Sequence, residues 1–136
     1  AHLPIFHTEH CVFARFLSNG DSYLNCGHVC TRSNVHLRDD AGSDHLVLAD
    51  MGCRNTVFSS EAQSGAPSLS QWMGEGIGRM RIELVDEGEE DVRTIVSGYL
   101  NVIDGRMNAR ELWEELKLVK DSNGRMGGVG HGSFRN

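Results

Sequence analysis

At 136 residues the chain is long enough for one domain with a real core, and too short for a complete barrel enzyme, which needs roughly 200–250 residues. Thirteen basic residues against nineteen acidic ones leave a net charge of −6, which argues against tight nucleic-acid binding by this chain alone, because neutralising phosphates takes a basic face. No apolar run approaches the roughly 20 residues of a membrane-crossing helix.

The first residues, "AHLPIF", show neither the charged start nor the long apolar stretch of a secretion signal and carry no initiator Met. They are expected of a processed chain or of a piece of a larger protein. "HLPIF" then reads as a strand. In "VFARFL", Val12, Phe13, Phe16 and Leu17 fall at helical spacing, and "SNGD" ends that short helix. "VHLRDDAGSDHLVLAD" has the form of a β-hairpin, two alternating runs joined by "DAGSD", and "TVFSS" adds a further short strand. These elements make residues 1–65 a small, loop-rich β module containing every cysteine of the chain.

Residues 66–78, within "SSEAQSGAPSLSQWMGEG", are rich in small and polar residues and are expected to be an exposed linker. Over 79–120 the patterns are more regular. "RMRIELVDEG" alternates Met80, Ile82 and Leu84 against Arg79, Arg81 and Glu83, as a half-buried strand does. In "EEDVRTIVSGYLNVIDG" a helical stripe of Val92, Ile95, Val96, Tyr99 and Ile103 follows an acidic start that suits a helix N-terminus, and Gly105 is a natural stop. Asn108 and Glu111 have capping-box spacing, and Leu112, Trp113, Leu116 and Val119 supply a second buried face. The tail, 121–136, is glycine-rich and expected to be flexible or extended; no Gly-Lys-Ser/Thr makes it a phosphate loop. The expected class is therefore α+β: the cysteine module, then a strand and two amphipathic helices.

The chemistry is concentrated in the cysteines. Cys11, Cys26, Cys30 and Cys53 are separated by fourteen, three and twenty-two residues. Such a set can hold tetrahedral zinc or an iron–sulfur cluster if the intervening loops fold back on each other. Zinc modules usually show two close pairs, whereas here only "CGHVC" is close and Cys11 and Cys53 stand alone. The irregular spacing suits a cluster slightly better, with zinc, disulfides and free structural thiols all left open. His7 and His10 flank Cys11, and His28 lies between Cys26 and Cys30; each could replace a sulfur or hydrogen-bond to one, although an ordinary polar histidine is the simpler reading.

Several stretches taken in order, "HTEHCVFARFLS", "NCGHVC", "VHLRDDAG" and "LADMGCRNTVFSS", resemble the collagenase-like peptidases, peptidase family U-thirty-two. The resemblance is strong over residues 3–65 and weaker through "RIELVDE", the helices and the glycine-rich tail. It implies a triose-isomerase-like barrel followed by C-terminal extensions. It also implies oxygen-independent hydroxylation of RNA or of a quinone ring rather than proteolysis, with prephenate as the proposed hydroxyl donor. Carried over residue by residue, it makes Cys11, Cys26, Cys30 and Cys53 the ligands of a four-iron, four-sulfur (4Fe-4S) cluster. Glu9, His10, Arg38 and Arg54 match the motif and become candidates for supporting that site without a catalytic role. The barrel is missing from this chain, and substrate contacts would come from it.

The expected role is thus the cluster-bearing C-terminal portion of a hydroxylase, with RNA reached only through a partner domain. The alternative is a non-catalytic accessory or structural subunit of a larger assembly. In the first case Phe13, Phe16 and Leu48 are expected to shield the cluster. A true protease has no support, since neither a Gly-x-Ser-x-Gly elbow nor a His-Glu-x-x-His helix occurs. The thiols favour a soluble chain in a reducing compartment, the cytoplasm or an organelle matrix.

Overall fold

The computed structural model describes residues 1–120 and 128–131. It is of the α+β class, with a five-stranded sheet and four α-helices among the described residues. The chain divides into two compact units, Leu3–Ser60 and a second made of Ala1–His2 with the chain from Glu61 onward.

In the first unit the short alternating runs become strands. β1 (His2–Thr8) is followed by helix α1 (Val12–Leu17) and a single 3-10 turn, Val29–Thr31. Then come β2 (Val35–Arg38), β3 (Asp44–Ala49) and β4 (Asn55–Gln63). The strand order is β1-β4-β3-β2, with β2, β3 and β4 antiparallel to one another in succession. Register lines Val35 up with Val47 and Val47 with Val57, so three β-branched residues form one cross-strand row. Val47 and Val57 are each 1% exposed, and Phe13 of α1 and Val29 of the 3-10 turn close over them. At about 25 cal/mol per Å² of apolar surface, burial of this size stabilises by about 1.5–3 kcal/mol for each large side chain. Cys11 and Cys30 pack against the same cluster, so the core that holds the sheet together also seats half of the candidate ligands.

The second unit is mainly helical: a 3-10 turn (Ala66–Ser68), α2 (Leu69–Gly74), α3 (Glu89–Ile103) and α4 (Ala109–Leu116). Its core is Ala66, Leu69, Ile95, Val102, Leu112 and Leu116, with Tyr99, Trp113 and Val119 packed around it. α3 begins with Glu89, Glu90 and Asp91 in its first turn, where the helix dipole favours negative charge. It ends at Gly105, which takes φ +71°. The capping box of α4 is complete: the Glu111 backbone N–H donates to Asn108 Oδ1 at 2.9 Å, and the Asn108 N–H donates to Glu111 Oε2 at 2.9 Å. Gly98 lets the two helices meet, since a Cβ there would fall 2.6 Å from Leu112 Cδ1. The Tyr99 hydroxyl lies 2.7 Å from Ser64 Oγ, and burial pushes its phenol above the usual range. A short strand β5 (Val129–Gly130) pairs in parallel with the end of β4. The rest of the glycine-rich tail lies outside the described residues.

Three expectations for this unit are corrected. Residues 77–84 carry no regular secondary structure, and Met80, Ile82 and Leu84 are 42%, 40% and 42% exposed. Alternation marks which face of a strand can be buried, but a strand also needs a neighbouring edge for its N–H and C=O groups. Residues 66–78 are more than a connection: they hold the 3-10 turn and α2, and Ala66 and Leu69 are among the most buried residues, while 73–78 are exposed as expected. On α3 the buried line runs through Ile95, Gly98 and Val102, while Val96 and Ile103 face outward. The close approach at Gly98 turns that side of α3 toward α4.

Candidate functional site

All four cysteines lie in the first unit, each positioned by a different local device. Cys11 is the N-cap of α1, and its Sγ accepts from the Ala14 backbone N–H at 3.5 Å. A second donor reaches it from a distant strand, Asn55 Nδ2 at 3.8 Å. Such N–H···S contacts orient a thiolate and withdraw charge from it.

Cys26 is buried at the end of a tight loop. Asn25 staples that loop. Its Oδ1 accepts from the backbone N–H groups of Asp21 and Ser22, each at 3.0 Å, and its Nδ2 donates to Asp21 Oδ1 at 3.0 Å. Gly20 is required beside it, because a Cβ there would fall 2.6 Å from Asn25 atoms. Between Cys26 and Cys30 the backbone passes through two consecutive left-handed residues, Gly27 at φ +66° and His28 at φ +50°. A non-glycine residue there is uncommon. The 3-10 turn that follows places Cys30 against the core.

Cys53 sits in the turn between β3 and β4, also left-handed at φ +60°. Asp50 organises this turn. Its Oδ1 accepts from the Gly52 and Arg54 N–H groups at 2.8 and 3.0 Å, and its Oδ2 accepts from Arg54 Nε at 3.0 Å. Burial raises the Asp50 carboxyl, but these donors and the guanidinium outweigh it and hold the group below the usual carboxylate range.

The electrostatics tie the four sulfurs together. The Cys53 thiol is pushed up by burial, then by the negative charges of Cys11, Cys26 and Cys30, then by Asp50. Each of the other three sulfurs is therefore close enough to Cys53 to disfavour its thiolate. A cationic centre bound by the four sulfurs would displace their protons and offset the repulsion among the resulting charges. All four cysteines are free, without disulfide bonds. Among the described residues no three Cys, His, Asp or Glu side chains stand in position for a single metal ion. Zinc at about 2.3 Å from each sulfur would draw tetrahedral thiolates to about 3.8 Å from one another. A cluster spreads its ligands wider, since each sulfur binds its own iron. The donor set is chemically suited to either, and the sulfurs share a field without closing to single-ion spacing.

The other sequence candidates divide. Arg54 belongs to the Cys53 turn and pairs with Asp50. Arg38 does not belong to the site: it pairs with Asp44 through Nε and Nη2 at 2.8 and 3.0 Å, at the opposite end of β3 from that turn, about 17 Å away at 3.4 Å per residue. Asp39 and His45 occupy the same far end, with His45 Nε2 3.1 Å from Asp39 Oδ2. Glu9, His10 and His28 are exposed, and His7 lies 2.8 Å from Thr56 Oγ1 through Nδ1. Phe13 is buried as a shield should be, whereas Phe16 is 76% exposed among the described residues, not buried as a shield would be.

Sequence reasoning passed over Asn55, although it lies inside the quoted "CRNTVF" stretch. It is fully buried, and its Oδ1 accepts from the Val12 backbone N–H at 2.5 Å. The available signal was an amide side chain opening an otherwise β-prone run.

No family model matches the chain, and comparison with curated proteins and with solved structures gives no match either. Among the described residues no helix is long and apolar enough to cross a membrane.

Proposed function

We propose that the chain is the iron–sulfur portion of an oxygen-independent hydroxylase related to the collagenase-like peptidases, with Cys11, Cys26, Cys30 and Cys53 as ligands of a four-iron, four-sulfur cluster. The observation that supports this reading is that four free cysteines, spread over more than forty residues of sequence, lie in one compact unit, with Cys11 and Cys30 packed against the same core cluster. Free thiols, two N–H donors on the Cys11 sulfur and left-handed backbone at both Cys53 and His28 support it. When bound, the cluster supplies one-electron chemistry.

The chain's own residues do the rest. Four thiolates would hold the centre and leave it net negative, and the Ala14 and Asn55 N–H groups would take up part of the charge on one of them. Phe13 and Val29 exclude water from the core side. With every iron held by a cysteine, no iron is left open for want of a protein ligand, so electron transfer or a structural role fits better than direct substrate binding. The substrate, RNA or a quinone, would be brought by the barrel that the resemblance implies. Anaerobic reconstitution of the full chain with ferrous iron and sulfide is expected to give a broad visible sulfur-to-iron absorption. A colourless product that retains zinc instead would refute the cluster.

One observation favours a second reading, an accessory subunit of a larger assembly. Phe16, Tyr23, Leu24 and Met51 are exposed in the cysteine module, and apolar surface of that kind marks contact with a partner when it is contiguous. The native mass of the material purified from its source separates the two: a lone chain there counts against the accessory role.

A further inference from the structure

We propose that Asn55 is the positioning residue of the cysteine site: its side-chain amide locks the start of α1 onto β4 and donates a hydrogen bond to the Cys11 sulfur, setting the reactivity of that sulfur toward electrophiles and metal. The nature of the centre rests on the cluster reading above, whereas the contact between Asn55 and Cys11 stands without it.

The orientation of the amide follows from its partners. The Val12 backbone N–H can only donate, so the side-chain atom 2.5 Å from it is the oxygen. The other arm, Nδ2, then faces Cys11 Sγ at 3.8 Å. Val12 is the first residue of α1, and its N–H is one of the donors that a helix start leaves without an internal partner. Asn55 satisfies it from inside the core, where an unpaired polar group would be costly. In register Asn55 pairs with Ala49 across β3 and β4, and it follows Cys53 by two positions. One side chain thereby links the two cysteines that stand alone in the sequence. A carboxylate would accept the Val12 N–H equally well; the amide adds a donor for sulfur.

Asn55→Asp separates these roles, since it keeps the acceptor for Val12 and replaces the donor to sulfur with a second acceptor. Wild-type and N55D full chains are treated, metal-free, with iodoacetamide at about pH 8, and modification is followed at each cysteine by peptide mass. Loss of the donor is expected to slow Cys11 by about tenfold, the rate equivalent of one modest hydrogen bond, while Cys30 keeps its rate. Equal Cys11 rates in the two chains overturn the inference. After anaerobic reconstitution the N55D cluster is expected at a more negative potential than the wild-type one, and an unchanged potential also overturns it. A wild-type chain that assembles no cluster but shows the Cys11 difference overturns the cluster reading alone. If N55D fails to fold by circular dichroism, the wild-type protein decides: alkylating Cys11 is expected to shift the Asn55 side-chain amide resonance in a nitrogen-15 spectrum. An unmoved resonance overturns the inference.

Discussion

The cysteine module and the helical unit solve the folding problem differently. In the helical unit α3 and α4 carry their own instructions between them: an acidic first turn and a glycine stop on α3, a complete capping box on α4, and an apolar face at helical spacing on each. The module packs Phe13, Val29, Val47 and Val57 into one cluster, buries Ala14 and Leu46 as well, and fastens its loops with side-chain hydrogen bonds from Asn25, Asp50 and Asn55. Its ends also leave Phe16, Leu24 and Met51 exposed. A metal centre bound by the proposed ligands would add folding energy directly to such a unit. The comparison teaches that the four thiols are part of the module's architecture as well as candidates for its chemistry.

The largest expected effect lies in the helical unit. Leu112→Ala empties the contact between α3 and α4 and is expected to cost about 2–5 kcal/mol, with amide-exchange protection lost over both helices. Val47→Ala removes the centre of the cross-strand row in the module and is expected to cost about 2 kcal/mol; denaturant melts of the metal-free chain give the number. If metal loading restores the V47A midpoint, the dependence of the module on its centre is sharpened, and if L112A is restored equally, the contrast between the units is broken. Asn108→Ala removes the capping box and is expected to cost about 1 kcal/mol, a loss that metal loading leaves in place.

The smallest effect is one of pH. The Cys53 thiol is raised above its ordinary value of 9.0 by burial and by its neighbours, so the folded metal-free chain holds that proton more tightly than the unfolded one. Its contribution to stability is complete below the unfolded value and is lost as pH rises through the folded one. Below that range Cys53 should be alkylated more slowly than in the denatured chain, and metal uptake, which must displace the proton, should weaken as pH falls.

Much of this architecture was legible in the residues. The hairpin around "DAGSD", the short α1, the strand at "TVFSS" and both long helices follow from period and capping, which are local properties. What escaped was non-local. The alternating run at 79–84 has the pattern of a strand but no partner edge, and pairing depends on residues far away in sequence. Ala66 and Leu69 look like loop residues among serines and glycines, yet α3 and α4 bring a core to them. Asn55 stands out as an amide opening a β-prone run, but its partner Val12 lies forty-three positions away, and neither propensity nor spacing names that contact. The cysteines were legible as candidates for a shared site; the devices that fix their backbone, the Asn25 staple, the Asp50 turn and the Asn55 amide, became visible only in three dimensions.

The most direct test weighs the anaerobically reconstituted chain intact, under non-denaturing conditions, beside four variants in which each cysteine in turn is replaced by serine. A single centre shared by Cys11, Cys26, Cys30 and Cys53 predicts a mass increment of one four-iron, four-sulfur cluster on the wild-type chain, weakened or absent in every variant. An increment of one zinc ion, or a cluster that survives undiminished in any one of the four, would contradict it.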